Sequence, residues 1–289
     1  MNPLDLFQDP EVTDVLIDSH RKIQVVKAGL IQTQSTNFGG ESELQGFAKT
    51  VIRDSGGRID LAKPFADVSV VSEYGRLRFH ALLGDECSSG TQISIRRHPT
   101  IQLSLEDLQN IGSLTQIQLI ELKQLVIERA NFVIIGATGS GKTTLLRAML
   151  SYADNERIIT IEDNQELKIA NAIELYTREP NPDGFGAITL EMLVREALRM
   201  RPDRLVIGEA RGSEILTLLQ AMNTGHDGVG FTLHAKTSGQ AISRMLGLMN
   251  LAGASESLAK SMISSSIDYL IALNSGDRKV ISIEKLPLV

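Results

Sequence analysis

The fold is decided by the segment FVIIGATGSGKTTLLRAML, residues 132–150, in which an apolar run leads through a glycine-rich loop into a helix-forming stretch. Gly136 to Thr143 match the spacing G-x-x-x-x-G-K-[ST], which chance produces in about one chain in a hundred of this length. Glycines let the backbone curl so that several N–H groups point at one anion, and the following helix adds its partial positive charge. The segment therefore predicts a phosphate-binding loop, in which Lys142 reaches the β and γ phosphates and Thr143 holds Mg²⁺.

Apolar strands and helical segments alternate through the whole second half of the chain. Strand-like runs occupy residues 131–135, 157–161, 204–207, 230–233, 269–273 and 280–283, and residues 188–200 show the apolar spacing of one helix face. Such alternation predicts an α/β fold, with a parallel sheet covered by helices on both faces.

The first half has shorter elements. Runs at residues 12–17, 22–26, 67–71, 76–82 and 92–96 are typical of strands, while residues 41–55 have helical spacing and stop at Gly56-Gly57. His98-Pro99-Thr100 interrupts this pattern, and Ser104 with Asp107 opens a new helix in the manner of a capping box. We predict an N-terminal α+β domain with an antiparallel sheet over residues 1–98, a linker over 99–108 and, over 109–289, an α/β domain that carries the phosphate-binding loop.

Carboxylates follow two of the predicted strands, at the sheet edge where α/β proteins bind ligands. Glu162 and Asp163 follow RIITI, with Glu166 close behind, and Glu209 follows RLVIG. A phosphate hydrolase needs one carboxylate to deprotonate the attacking water and another near the metal. Because Gly208 stands where an aspartate commonly precedes this glutamate, Glu209 has to act alone, through water to Mg²⁺.

His234 ends another predicted strand, so it is placed to face the same crevice as the phosphates. An imidazole there can donate a hydrogen bond to the γ-phosphate and report its presence. Arginines are the remaining side chains whose positive charge could balance the phosphates. Some of them form ordinary ion pairs on the surface instead. They flank the Glu209 strand and cluster in the first half: Arg195, Arg199, Arg201, Arg204, Arg211, Arg76, Arg78, Arg96 and Arg97.

The composition narrows the class of protein. The net charge of −6 gives no general argument for nucleic-acid binding, and the one cysteine, Cys87, excludes an intrachain disulfide and a cysteine-rich zinc site. We expect Cys87 to be a buried free thiol. No apolar run is long enough to span a bilayer and no signal-peptide pattern opens the chain. We therefore expect a cytoplasmic protein that reaches a membrane through a partner.

Four motifs, in order, resemble those of the type II/IV secretion ATPase superfamily. GATGSGKTT (136–144), TIEDNQEL (160–167), LRMRPDRLVIGEARG (198–212) and GHDGVGFTLHA (225–235) are similar to its Walker A motif, Asp box, Walker B motif and His box. DVSVVSEYGRLRFHAL (67–82) and ISIRRH (93–98) are similar to its first-domain segments. The resemblance covers nearly the whole chain and is greatest to the tight-adherence (Flp) pilus and conjugation branch.

The resemblance implies a RecA-like P-loop NTPase domain with a smaller N-terminal α+β domain, and a hexameric ring that binds ATP and Mg²⁺ between the two domains. It implies a motor for pilus assembly or secretion, peripheral to the inner face of the cytoplasmic membrane and docked on an inner-membrane platform protein. We expect no direct contact with nucleic acid. Glu162 is implied to be the general base, Glu209 the Walker B acid, His234 a γ-phosphate contact, and Thr143 and Glu209 the metal site. The implied nucleotide contacts are Gly136, Thr138, Gly139, Ser140, Gly141, Lys142, Thr143, Thr144, Arg76, Arg96 and Arg97.

Some features depart from the family or suit other functions. The tetracysteine zinc module is absent, and LLGDECSSG (82–90) replaces a proline-containing loop. A RecA-like DNA translocase or helicase and a nucleotide-gated scaffold without turnover are competing interpretations; a transporter-type ABC ATPase, suggested by Ser238-Gly239-Gln240, is set aside because that fragment follows the Glu209 strand. The acidic charge and an aromatic content of 4% argue against the first, and the paired carboxylates with Lys142 argue against the second. For the motor, we expect a hinge between the domains near His98 to Thr100.

Overall fold

The computed structural model describes residues 2–27, 29–84, 88–97, 102–153, 155–178, 180, 185–274 and 276–286. The chain forms two compact units, Met1–Ile101 and Gln102–Val289. Cys87 and the expected hinge at His98 to Thr100 lie outside the described residues. The domain limits given above stay a prediction. Across the part of the chain that is described, no helix combines the length and the apolar character needed to cross a membrane.

The first unit is an antiparallel sheet of six strands with one helix, in agreement with the predicted α+β fold. The order across the sheet is β3-β2-β1-β6-β5-β4, and each neighbouring pair runs antiparallel. Buried side chains alternate along the strands and pack against the apolar face of the helix. The elements are β1 (Val12–Ser19), β2 (Lys22–Lys27), β3 (Leu30–Thr33), α1 (Glu41–Asp54), β4 (Phe65–Ser72), β5 (Gly75–Leu82) and β6 (Gln92–Arg97), after a short 3-10 helix (Pro3–Gln8).

Helix α1 ends where the sequence predicts. Gly56 takes a φ of 79°, a left-handed conformation that glycine adopts without strain, and its N–H donates to the carbonyl of Arg53. The sequence interpretation missed β3, because all of its residues are exposed and hydrogen bonds to β2 alone define it as a strand.

The second unit is a seven-stranded sheet with the order β13-β12-β7-β11-β10-β8-β9. All neighbours are parallel except β13, which runs antiparallel to β12. The elements are α2 (Leu105–Asn110), α3 (Gln116–Ile127), β7 (Phe132–Ile135), α4 (Lys142–Leu150), β8 (Ile158–Glu162), β9 (Ile173–Tyr176), α5 (Leu190–Leu198), β10 (Arg204–Ile207), α6 (Glu214–Asn223), β11 (Gly230–Leu233), α7 (Ser238–Leu251), α8 (Glu256–Ser266), β12 (Tyr269–Leu273) and β13 (Val280–Lys285).

Helices cover both faces of this sheet, as predicted. Val133 and Ile135 of β7 belong to a core shared with α5 to α8, whereas Phe132 and Ile134 belong to a core shared with α2 to α4. Helix α2 begins inside the predicted linker, and the capping box of Ser104 is confirmed. The edge strand β9 was missed because it has only four residues and all of them are half-buried, so no buried apolar run marks it.

Arg204 is a structural residue of the second unit. Its side chain is fully buried, and its Nε donates to Oε2 of Glu156 at 2.7 Å while Nη2 donates to the carbonyl of Val126 at 2.9 Å. A buried guanidinium needs these acceptors because it has lost its water. Arg204 is therefore engaged in the core and does not face a ligand.

We expect Glu156→Gln to lower the free energy of unfolding by about 3 kcal/mol, because the buried charge of Arg204 loses its counter-ion. Urea unfolding at neutral pH measures the loss. Glu196→Gln is the matched control, since Glu196 pairs with Arg199 on the surface, where ion pairs contribute about 0.5 kcal/mol or less. Equal effects of the two exchanges would contradict a structural role for the Arg204 pair.

Candidate active site

The predicted phosphate loop connects the fully buried strand β7 to helix α4. Gly139 and Gly141 have φ values of 75° and 95°, which a residue with a side chain rarely adopts. At Gly136 a Cβ would lie 2.4 Å from Oγ of Ser140, so the tight turn also requires glycine there. Left-handed glycines and a tight turn are what a loop that curls its N–H groups around an anion requires.

Lys142 begins helix α4 with its ammonium folded back into the loop. Its Nζ lies 3.0 Å from each of the carbonyl oxygens of Gly136 and Ala137, and 3.1 Å from Nδ1 of His234. Burial lowers the pKa of the Lys142 ammonium, and the negative charges of Glu209 and Glu166 partly offset this effect. The two carbonyl oxygens and the ring nitrogen fix the position of the Lys142 nitrogen inside the loop.

His234 joins the lysine to an acid. Its Nε2 lies 3.1 Å from Oε1 of Glu209. Because an ammonium can only donate, Nδ1 accepts from Lys142, so Nε2 carries the proton and donates to Glu209. Arg211 lies 3.1 Å from the other oxygen of Glu209 and 3.2 Å from Oδ2 of Asp163. This polar chain crosses the ends of four parallel strands, where ligands of α/β sheets bind.

Glu162, the predicted general base, ends strand β8 and is only 3% exposed. Its oxygens accept the N–H groups of Glu166 and Leu167 at 3.0–3.3 Å. Burial raises the pKa of the Glu162 carboxyl to about 7, although the two N–H donors favour its charged form. The raised pKa suits a base, while the burial keeps water away from it.

Glu166, to which the sequence interpretation gave no role, lies close to this network. Its side chain is half-buried, and its negative charge influences Lys142, Arg147 and Glu162. Its position in a loop just after a predicted strand is the feature of the sequence that could have marked Glu166 as a site residue. It is the more accessible of the two carboxylates.

The raised pKa of Glu162 predicts a pH-dependent stability. Its folded-state pKa of about 7 exceeds the ordinary value of 4.5, so the folded protein binds the extra proton and stability falls as the pH rises between these values. From pH 5 to pH 8, the free energy of unfolding of Glu162→Gln should rise by about 2 kcal/mol relative to that of wild type, because the neutral amide avoids burying a charge. Urea unfolding of both proteins at the two pH values measures this. Glu196→Gln should show no such trend, and a constant difference for Glu162→Gln would contradict the raised pKa.

The first-unit arginines are engaged within their own unit. Arg76 lies 3.4 Å from Oγ of Ser69, and Arg96 pairs with Asp14 at 2.9 Å. Arg97 donates to the carbonyls of residues 7, 9 and 10, which anchors the 3-10 helix. Their predicted role toward nucleotide stays a prediction. In the second unit, Arg195 and Arg199 form surface ion pairs, and Arg211 lies at the site.

The remaining predicted contacts lie in the loop and the first turn of α4. Thr143 and Thr144 are half-buried, and Thr138 lies in the loop itself. The Oγ of Ser140 is buried and has no hydrogen-bond partner among the described residues. The loop therefore holds polar groups beside the curled backbone, although their assignment to nucleotide stays a prediction.

Comparison with known proteins places the chain in a family. The Type II/IV secretion system protein family matches residues 76–275. A conjugal transfer protein of Mycobacterium tuberculosis H37Rv is 34% identical, over 90% of this chain and 75% of that protein. The type IV secretion system protein VirB11 of Bartonella henselae is 29% identical, over 85% and 78% respectively.

The fold is also that of a solved motor structure. The pilus retraction motor PilT with bound ADP superposes with a TM-score of 0.69 at 22% identity, covering 94% of this chain and 78% of that one. The chain belongs to the type II/IV secretion system protein family.

Proposed function

We propose that this protein is a Mg²⁺-dependent ATPase that works as a hexameric motor for pilus assembly or secretion. The observation that carries the proposal is the hydrogen-bonded chain from Lys142 through His234 to Glu209, which lies beside a loop shaped for phosphate. The relatives named above serve conjugation and secretion, and the motor PilT was solved with ADP. We propose the tight-adherence pilus and conjugation branch as the nearest one.

The donor set suits the proposed ligands. The left-handed glycines and Lys142 fit a polyphosphate, because they offer inward N–H groups and a buried positive charge. The hydroxyl of Thr143 and the carboxylate of Glu209 are hard oxygen donors, which Mg²⁺ prefers. When bound, Mg²⁺ would neutralise charge on the β and γ phosphates. Lys142 would orient the phosphates, and His234 would contact the γ-phosphate side.

Two carboxylates are candidates for the base that takes the proton of the attacking water. Glu162 is the base implied by the family resemblance, and its pKa near 7 supports this role. Glu166 is the second candidate, because it is more exposed and its charge acts on Lys142. We favour Glu166, since both oxygens of Glu162 already accept backbone N–H groups.

Lys142 and His234 also suggest how nucleotide is sensed. In the structure the ammonium contacts His234 directly, at 3.1 Å. A γ-phosphate would compete for that ammonium and leave Nδ1 of His234 without its donor. We propose that this exchange starts the rocking of the two domains that drives the motor.

The first test measures phosphate release from Mg²⁺-ATP against protein concentration, with and without EDTA. We expect activity per chain to rise with concentration as the ring assembles, and to vanish with EDTA. Sedimentation velocity with a non-hydrolysable analogue then gives the number of subunits. ATP binding without phosphate release would support the scaffold, unless membranes that carry the platform protein restore turnover. DNA-stimulated turnover would instead support a translocase.

The proposed location is the inner face of the cytoplasmic membrane, reached through an inner-membrane platform protein. The expected result is sedimentation with membranes only when that partner is co-expressed. Binding to protein-free lipid vesicles would contradict docking through a partner.

A further inference from the structure

The peptide of Glu166 is held from two sides. On one side, the carboxylate of Glu162 accepts the N–H of Glu166 at 3.2 Å and the N–H of Leu167 at 3.0 Å. On the other, Nη2 of Arg147 donates to the carbonyl oxygen of Glu166. Both side chains that hold this peptide are ionisable, and both are more than 90% buried. Hydrogen bonds away from water are not weakened by competing solvent, so this peptide is firmly placed.

Arg147 lies on helix α4, which also begins with Lys142. Burial lowers the pKa of the Arg147 guanidinium, and the negative charges of Glu162 and Glu166 act in the opposite direction. Its Nε finds no hydrogen-bond partner within the described part of the chain. The bond to the Glu166 carbonyl is therefore a main anchor of this buried charge, and it links the phosphate helix to the loop after β8.

Gly208 leaves space for the side chain of Glu162. A Cβ on Gly208 would lie 3.0 Å from both Cγ and Oε1 of Glu162, which is closer than ordinary contact. An aspartate at this position, the commoner residue in this motif, would compete for the same space. The missing side chain at Gly208 therefore leaves room for Glu162 to reach the peptide of Glu166.

We propose that Arg147 and Glu162 are positioning residues, which clamp the peptide of Glu166 and so aim its carboxylate toward the Lys142 side of the site. Because Arg147 and Lys142 share helix α4, the clamp fixes the position of the base relative to the phosphate-binding lysine. The inference rests on the proposed ATPase function with Glu166 as the base. In this arrangement a side chain at position 208 would push Glu162 away from the peptide that it holds.

The test compares Arg147→Met, Arg147→Lys and Gly208→Ala with wild type in ATP turnover. We expect Arg147→Met to lower kcat at least tenfold and to change KM less than threefold, because the clamp aims a catalytic group without binding ATP. Arg147→Lys, which keeps a charged donor, should recover part of the loss. Gly208→Ala should lower kcat although Arg147 and Glu162 are intact. Arg199→Met, on the surface, is the matched control and should be unchanged.

A second measurement separates positioning from general damage. In a Glu166→Gln background, Arg147→Met should change single-turnover hydrolysis less than twofold, because there is no base left to aim. Three results would each overturn the proposal. Arg147→Met could slow hydrolysis by the same factor with and without Glu166→Gln, it could raise KM by as much as it lowers kcat, or it could leave kcat at the wild-type value. If Arg147→Met does not fold, the same comparison with Arg147→Lys and Gly208→Ala decides.

Hydrogen exchange tests the clamp without relying on activity. We expect the amides of Glu166 and Leu167 to exchange at least tenfold faster in Arg147→Met than in wild type, while amides of strand β11 are unchanged. Unchanged exchange at both amides would overturn the clamp. A wild type that hydrolyses no ATP, even with its membrane partner, would instead refute the proposed function. The hydrogen-exchange result would still decide whether Arg147 holds the peptide of Glu166.

Discussion

Exchanging Glu166 for glutamine is expected to lower ATP turnover by about a hundredfold to ten-thousandfold, the usual loss of a general base. The amide keeps the size of the side chain but cannot take the proton of the attacking water. Affinity for a fluorescent ATP analogue should stay within about threefold, because Lys142 and the loop backbone are untouched. Phosphate release under single-turnover conditions, with ring assembly checked by sedimentation, measures the effect.

Glu162→Gln is the matched comparison for this prediction. Its amide oxygen can still accept the N–H groups of Glu166 and Leu167, which the Glu162 carboxylate accepts in wild type. We therefore expect turnover to fall less than about tenfold if Glu162 positions and Glu166 acts as the base. If Glu162→Gln loses the larger factor and Glu166→Gln the smaller, Glu162 is the base that the sequence predicts, and the clamp proposal fails with it.

Lys142→Met is expected to lower kcat by about a hundredfold to a thousandfold. The exchange removes a preorganised positive charge that would stabilise the negative charge on the β and γ phosphates during hydrolysis. Burial lowers the pKa of Lys142, so burying this charge does not favour the folded state, and we expect no loss of thermal stability. Turnover, nucleotide affinity and melting temperature of the same preparation check both statements.

Lys260→Met is the control for Lys142→Met, since Lys260 lies on the surface and pairs with Glu256. Its turnover should equal that of wild type. A Lys142→Met protein with wild-type turnover would refute the proposed site. One that also melts well below wild type would show that Lys142 supports the fold, and the loss of turnover could then not be attributed to the phosphates.

Much of the second unit could be predicted from the sequence because its signals are local. The run FVII is buried on every side, and GATGSGKT needs glycine at Gly139 and Gly141 for their positive φ values. Both features are properties of neighbouring residues. The edge strands β3 and β9 could not be found in this way, since only their hydrogen bonds to β2 and β8 make them strands.

The arginines show the opposite case. The sequence places Arg204 beside the Glu209 strand, which suggests a contact with phosphate. The fold buries it against Glu156 and the carbonyl of Val126, whereas Arg211 reaches Glu209. Arg204 opens strand β10 and lies at the amino end of the sheet, whereas Arg211 follows the carboxyl end of the same strand, where Glu209 lies.

The sequence alone determined that a glycine-rich loop with Walker A spacing follows a buried strand, that carboxylates and a histidine end other strands, and that the chain carries the ordered motifs of its family. Short-range requirements decide these points, namely backbone φ at glycine and the alternation of apolar runs. Only the tertiary structure decided that Glu162 is buried and engaged while Glu166 is half-buried, that Arg147 donates to the carbonyl of Glu166, and that Gly208 lies against Glu162. Burial and hydrogen-bond partners come from segments far apart in the chain, so they arise only when the strands and helices pack together.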